Sequence, residues 1–122
     1  MEKCLEKPYK ELYDLETRKR ESGRIRKKYP ERYPIIVEKS NYCKKKITLT
    51  KKKYLAPVDL TIGEFIYVVR KRMILKPEEA IYLFINDSNL ISPSKSLSDI
   101  YEKYVNEDGF LYINYSTENT FG

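Results

Sequence analysis

One stretch of this 122-residue chain carries both a helix-start signal and a helical apolar stripe. Thr61-Ile62-Gly63-Glu64 fits a capping box, with a hydroxyl at the cap and a carboxylate three residues on. Ile62, Phe65, Ile66, Val69 and Met73 follow at helical spacing, predicting a helix through Arg72 or Met73 with one strongly apolar face. A helix of that kind must bury its stripe against something. The other apolar segments are short, and several are rich in β-branched or aromatic residues, so the partner is a sheet.

Those segments can be placed in order. Pro34-Ile35-Ile36-Val37-Glu38 and Lys53-Tyr54-Leu55-Ala56 precede the helix and are expected to form a hairpin with a long lysine-rich connection. Ile81-Tyr82-Leu83-Phe84-Ile85 reads as a buried strand and Asn86-Asp87-Ser88-Asn89 as a turn. Ser96–Tyr104 reads as a short helix with Leu97, Ile100 and Tyr104 inward, Asp108-Gly109 as a turn, and Phe110–Tyr115 as the last strand. Ahead of these, Pro8 suits a first helical position and Asp14 caps a second helix reaching about Lys28, where Gly23 is expected to weaken or fray it. The order is α-α-β-β-α-β-α-β. Without its first two helices it has the β-grasp plan of ubiquitin: an α+β fold with a four-stranded mixed sheet around one main helix. The last strand belongs at the centre, since a terminal apolar run needs cover on both faces. A chain of this length suits one domain, 1–122, made of a helical extension (1–29), a β-grasp core (30–115) and a tail (116–122).

Charge is unevenly placed. Residues 1–53 hold 18 Lys/Arg against 8 Asp/Glu, and residues 54–122 hold 6 against 10. The basic half suggests an acidic partner. There is no histidine, Cys4 and Cys43 form no metal-ligand pattern, and no apolar run approaches a membrane span, so no metal or cofactor is expected and the thiols are expected to be free. The acidic pairs Glu78-Glu79 and Glu107-Asp108 read as solvated turn and cap residues, with no nucleophile or phosphate loop beside them, which argues against an enzyme. The chain ends Tyr115-Ser116-Thr117-Glu118-Asn119-Thr120-Phe121-Gly122. A short polar tail finishing in glycine presents an unhindered carboxylate that an enzyme could draw into a narrow channel.

Lys27-Lys28-Tyr29-Pro30, Arg32, Pro34–Lys39, Lys51-Lys52-Lys53-Tyr54-Leu55, Arg70-Lys71-Arg72, Phe110-Leu111-Tyr112-Ile113 and the ending through Phe121-Gly122 occur in this order. Together they resemble the GABARAP and light-chain-three family of autophagy ubiquitin-like modifiers, from about Tyr9 to Gly122. The resemblance implies activation of Gly122 and its conjugation to phosphatidylethanolamine. It implies activating and conjugating enzymes and a processing or deconjugating cysteine protease as partners. The protein is then expected to be cytoplasmic, on autophagosomal membranes after lipidation, and monomeric before it. Such modifiers recruit receptors carrying an aromatic-x-x-aliphatic motif. By resemblance the aromatic pocket maps to Glu21, Ile25, Pro34, Ile36, Lys53, Leu55 and Phe110, and the aliphatic pocket to Tyr54, Ala56, Pro57, Leu60, Phe65, Val68 and Val69. Arg32, Lys51, Lys53 and Arg72 are placed to meet acidic or phosphorylated residues before the receptor aromatic.

Strand alternation sends Tyr54 and Leu55 to different environments, as two pockets flanking one strand require. Ile36, Phe65 and Val69 are assigned mainly to packing, whereas Leu55, Phe110 and Ile25 are expected to keep accessible apolar surface. Ala56, Val68 and Val69 are smaller than many relatives carry, which predicts a differently shaped aliphatic pocket. Tyr82-Leu83-Phe84-Ile85 matches a strand some relatives use for helical ligands, and core burial accounts for it more simply. A competing reading takes Arg24–Lys28 and Lys44-Lys45-Lys46 as a nucleic-acid or microtubule surface without lipid conjugation. Runs of this length are unspecific, and nucleic acid is not an expected partner.

Overall fold

The computed structural model describes residues 7–41, 43, 49 and 51–117. Element order is α1 (Tyr9–Leu12), α2 (Leu15–Lys28), β1 (Arg32–Lys39), β2 (Lys53–Pro57), α3 (Ile62–Arg70), β3 (Tyr82–Ile85), β4 (Asn89–Leu90), α4 (Leu97–Tyr104) and β5 (Leu111–Ser116). Among the described residues the sheet runs β2-β1-β5-β3-β4, with β1 and β5 parallel and the other neighbours antiparallel. The final strand is central, as expected of an apolar run covered on both faces.

The local signals act as expected. Thr61 Oγ1 accepts from the Glu64 amide at 3.1 Å, and Glu64 Oε1 accepts from the Thr61 amide at 2.9 Å, so the capping box is complete. Asp14 caps α2 by accepting from the Thr17 amide at 2.9 Å, and hydrogen bonding to Thr17, its side chain first and then its amide, holds the Asp14 carboxyl below the ordinary range. Ser96 caps α4 through the Asp99 amide. Pro8 sits one residue earlier than expected, at the cap of α1.

Three expectations need correction. The sheet has a fifth strand: Asn89 and Leu90 pair with Ile85 and Phe84 where the residue types suggest a turn. Both are exposed, so no apolar alternation marks them. Helix α3 stops at Arg70, and Met73 reaches the core from beyond it. Helix α2 passes unbroken through Gly23, whose position faces open space; docking of the helix's other side overrides glycine's weak propensity.

Alternation along the strands divides the interior in two. Tyr33, Ile35, Val37, Tyr54, Ala56, Leu111 and Ile113 face α3 and α4, where Ile62, Phe65, Val69, Leu97 and Ile100 complete the larger core. Ile36 joins Phe110, Ile25 and Tyr9 on the opposite face, beneath α2, with Leu55, Tyr29 and Tyr112 partly buried around them.

A polar latch holds α2 down. Asp108 is buried, and its carboxylate accepts from Arg18 Nη1 at 2.5 Å, Tyr112 Oη at 2.5 Å and the Phe110 amide at 2.8 Å. Ser22 donates to the Asp108 carbonyl at 2.5 Å. Burial, then the bond to Asp108, push the Tyr112 hydroxyl far above its ordinary value. Gly109 has φ +93°, and a Cβ there would stand 2.3 Å from Ser22 Oγ, so the turn admits only glycine while α2 stays seated. Asp108 is thus not the solvated turn residue that its neighbours in sequence suggest; its partners lie on α2 and β5.

Candidate peptide-binding edge

Strand β2 is one edge of the sheet. The Lys52 carbonyl accepts from Val37 at 2.9 Å and the Val58 amide donates to Glu31 at 3.0 Å. Even-numbered residues therefore turn their backbone groups toward β1, and Lys53, Leu55 and Pro57 turn theirs outward. Pro57 has no N–H to offer and sits where an edge tolerates it.

On the α2 side of this edge lies a cavity of about 290 Å³, lined by Glu21, Arg24, Ile25, Tyr29, Lys51, Lys53 and Leu55. Glu21 Oε2 accepts from Lys53 Nζ at 2.8 Å and from Arg24 Nη2 at 2.9 Å, bridging α2 to β2 across the rim. These bonds, Arg24's first and then Lys53's, hold the Glu21 carboxyl below its ordinary value. A second cavity of about 170 Å³ lies far from this edge, beside β4 and α4.

The structure brings together Glu21, Ile25, Lys53 and Leu55 around the cavity. Pro34 and Ile36 are buried opposite Leu55 and Lys53 in the β1–β2 register. The expectation that Ile25 and Phe110 keep accessible surface is wrong: they are 2% and 0% exposed, against a half-buried Leu55. Ile25 lies on the buried side of α2, and Phe110 packs against it with the Tyr9 ring edge-on at 5.3 Å. Ile25 lines the cavity with Leu55 as its accessible wall, and Phe110 packs with Ile25 without reaching the lining. Arg24 and Tyr29 also line the cavity, and the sequence reading misses them; their helical spacing from Glu21 and Ile25 carries that signal.

The aliphatic set lies on the other face of the same strand. Tyr54, Ala56, Phe65 and Val69 are buried, with Tyr54 and Phe65 rings edge-on at 5.7 Å. Leu60 is partly buried beside them and Val68 is 38% exposed. Pro57, by parity, falls on the side of Leu55. Burial pushes the Tyr54 hydroxyl up to about 12, and that hydroxyl has no hydrogen-bond partner among the described residues. Lys51 Nζ sits over the Tyr54 ring at 5.3 Å, which places it between the two regions. Arg72 is exposed after α3, close enough to Tyr54 to lower its pKa somewhat. Arg32 donates through Nη1 to the Leu55 carbonyl at 3.0 Å.

Of the basic run on α2, Arg24 is tied to Glu21, Ile25 is buried, and Arg26 stacks over Tyr33 at 5.1 Å. Lys44-Lys45-Lys46 lie outside the described residues, as does Gly122. No helix of the described residues is long and apolar enough to cross a membrane.

A family model described as autophagy protein Atg8, ubiquitin-like, matches residues 17–122. The chain belongs to the Atg8 family. It is 53% identical to autophagy-related protein 8 of Schizosaccharomyces pombe over 116 residues, 93% of each chain. It is 54% identical to autophagy-related protein 8e of Arabidopsis thaliana over 111 residues, 89% of this chain and 88% of that one. The fold matches the crystal structure of Trypanosoma brucei ATG8 at a TM-score of 0.85 and 41% identity, covering 97% of this chain and all of that one. It also matches Plasmodium falciparum Atg8, solved with a peptide of Plasmodium falciparum Atg3, at a TM-score of 0.81 and 31% identity, covering 95% of this chain and all of that one. The Atg8-family assignment bears out the GABARAP and light-chain-three resemblance. The chain is thus an autophagy ubiquitin-like modifier and not an enzyme.

Proposed function

We propose that this Atg8-family chain binds extended aromatic-x-x-aliphatic peptides along β2 and is carried to membranes by conjugation of Gly122 to phosphatidylethanolamine. One observation carries the peptide half. The α2-side cavity and, on the α3 side, the partly exposed Leu60 and Val68 beside buried Tyr54, Phe65 and Val69 lie on opposite faces of one open strand edge. An added strand alternates its side chains, so residues i and i+3 point to opposite faces. The aromatic-x-x-aliphatic spacing therefore delivers the aromatic to the cavity at Ile25 and Leu55 and the aliphatic toward Leu60 and Val68 over Tyr54, Phe65 and Val69, while main-chain bonds form at Lys53 and Leu55. The peptide seen with the Plasmodium relative supports a peptide-binding role, and by analogy a conjugating enzyme is among the partners here.

The conjugation half rests on family membership, since the match runs through residue 122. In this reading α2 and Tyr29 of the 1–29 extension wall the cavity, the sheet of the 30–115 core presents the edge, and the 116–122 tail is what the activating and conjugating enzymes and the processing protease take up. Two acyl chains, at about 0.8 kcal/mol per buried CH₂, then hold the domain on autophagosomal membranes.

Calorimetry with an aromatic-x-x-aliphatic peptide tests the first half. Leu55→Arg should weaken binding about tenfold or more, because a charged side chain replaces the apolar wall against which the aromatic is buried, and unchanged affinity overturns the site. Reconstitution with activating and conjugating enzymes, ATP and phosphatidylethanolamine liposomes tests the second. Gly122→Ala should abolish the lipidated product, and its persistence overturns the assignment.

A further inference from the structure

We infer that Arg32 is a self-cap on the peptide-binding edge, released when the incoming strand brings a carboxylate. The inference rests on the peptide site proposed above. The outward backbone groups of β2 belong to Lys53, Leu55 and Pro57. An added strand needs those carbonyls as acceptors for its own N–H groups. Two of the three are already occupied. The Pro57 carbonyl accepts from the Leu60 amide at 3.3 Å, closing the turn after the strand. The Leu55 carbonyl, in the middle of the edge, accepts from Arg32 Nη1 at 3.0 Å.

Arg32 is suited to exchange. Its backbone is anchored at the start of β1, where its amide donates to the Tyr29 carbonyl at 3.0 Å and its carbonyl accepts from Arg26 Nη1 at 3.1 Å. The guanidinium can move without disturbing the strand. Among the described residues it has no carboxylate partner, unlike Arg18, Arg24, Lys52 and Lys53. A guanidinium bound to a neutral carbonyl gains by moving to a carboxylate, because both partners are then charged. A peptide with an acidic side chain near the aromatic offers that destination and frees Leu55 for pairing. A peptide without one must expel Arg32 to water or share the Leu55 oxygen with it on the second lone pair, a poorer arrangement in either case. Arg32 thus selects partly by penalising neutral strands, which simple charge attraction does not do.

The two accounts separate in a crossed titration. Two peptides share one aromatic-x-x-aliphatic frame, one with Glu at both intervening positions and the other with Gln. Against Arg32→Ala the Glu peptide should bind about threefold weaker or worse, and the Gln peptide about threefold tighter, the scale of one hydrogen bond. A Gln peptide that binds Arg32→Ala no tighter than wild type overturns the self-cap. Arg32→Met keeps the apolar stem and carries the same expectation if the alanine variant melts early. Leu55→Arg distinguishes the two levels of failure. If it still weakens binding about tenfold or more, only the self-cap is lost; if it changes nothing for either peptide, the site itself is misplaced and the self-cap falls with it.

Discussion

The two faces of the sheet are held by different physics. On the α3 side, fully buried Ile35, Val37, Phe65, Val69, Leu83, Leu97 and Leu111 form a broad apolar core. On the α2 side the fully packed apolar cluster among the described residues is Tyr9, Ile25, Ile36 and Phe110, and the docking is completed by Arg18, Ser22 and Asp108. Apolar burial is non-directional and tolerates small shifts, whereas a buried ion pair with its hydrogen bonds fixes one arrangement. The first face makes the domain stable. The second sets the height of α2 above the sheet, and so the depth of the cavity beside β2.

Substitutions on each face should therefore have different consequences. Phe65→Ala is expected to have the largest effect, a loss of about 3–5 kcal/mol in denaturant unfolding, with hydrogen exchange accelerating across the whole sheet. Asp108→Ala should cost about 3 kcal/mol, because Arg18 and Tyr112 lose a buried partner. Its signature is regional: amides of residues 15–28 should exchange faster than those of 62–70, and aromatic-peptide affinity should fall. Uniform acceleration in both helices would mean that the latch belongs to the global core. Glu21→Gln should have the smallest effect and a pH dependence. Arg24 and Lys53 lower the folded-state pKa of Glu21 beneath its ordinary 4.5, so its contribution is complete above about pH 4.5 and is lost as pH falls through the lowered value. The wild-type advantage over Glu21→Gln at pH 7 should shrink by pH 3; parallel stability curves across that range refute the role of this bridge.

What can be read from the chain follows the range of each interaction. The Thr61–Glu64 cap, the α3 stripe and the strand runs are local, and the fold class follows from their order. The Asn89–Leu90 strand is not legible, because only pairing with Phe84 and Ile85 defines it. Asp108 reads as a turn residue because its ion-pair partner, Arg18, lies 90 residues away. At the site, the alternation of Tyr54 and Leu55 is legible from period two. The depth of Ile25 and Phe110 is not, since it depends on how closely α2 and Tyr9 approach the sheet. The Arg32–Leu55 bond needs the β1–β2 register, in which Arg32 lies opposite Pro57 and Leu55 opposite Pro34.

The parallel pairing of β1 with β5 has a mechanical consequence. Ile35 through Lys39 run alongside Leu111 through Tyr115, and Tyr82 through Phe84 pair on the other flank. If the proposed tether holds the domain at its C-terminal end while cargo pulls on the β2 edge, tension enters along β5. It is then shared by hydrogen bonds on both sides in shear, not peeled one at a time from an edge. A strand at the centre of the sheet is the place from which a small domain can be towed without unravelling.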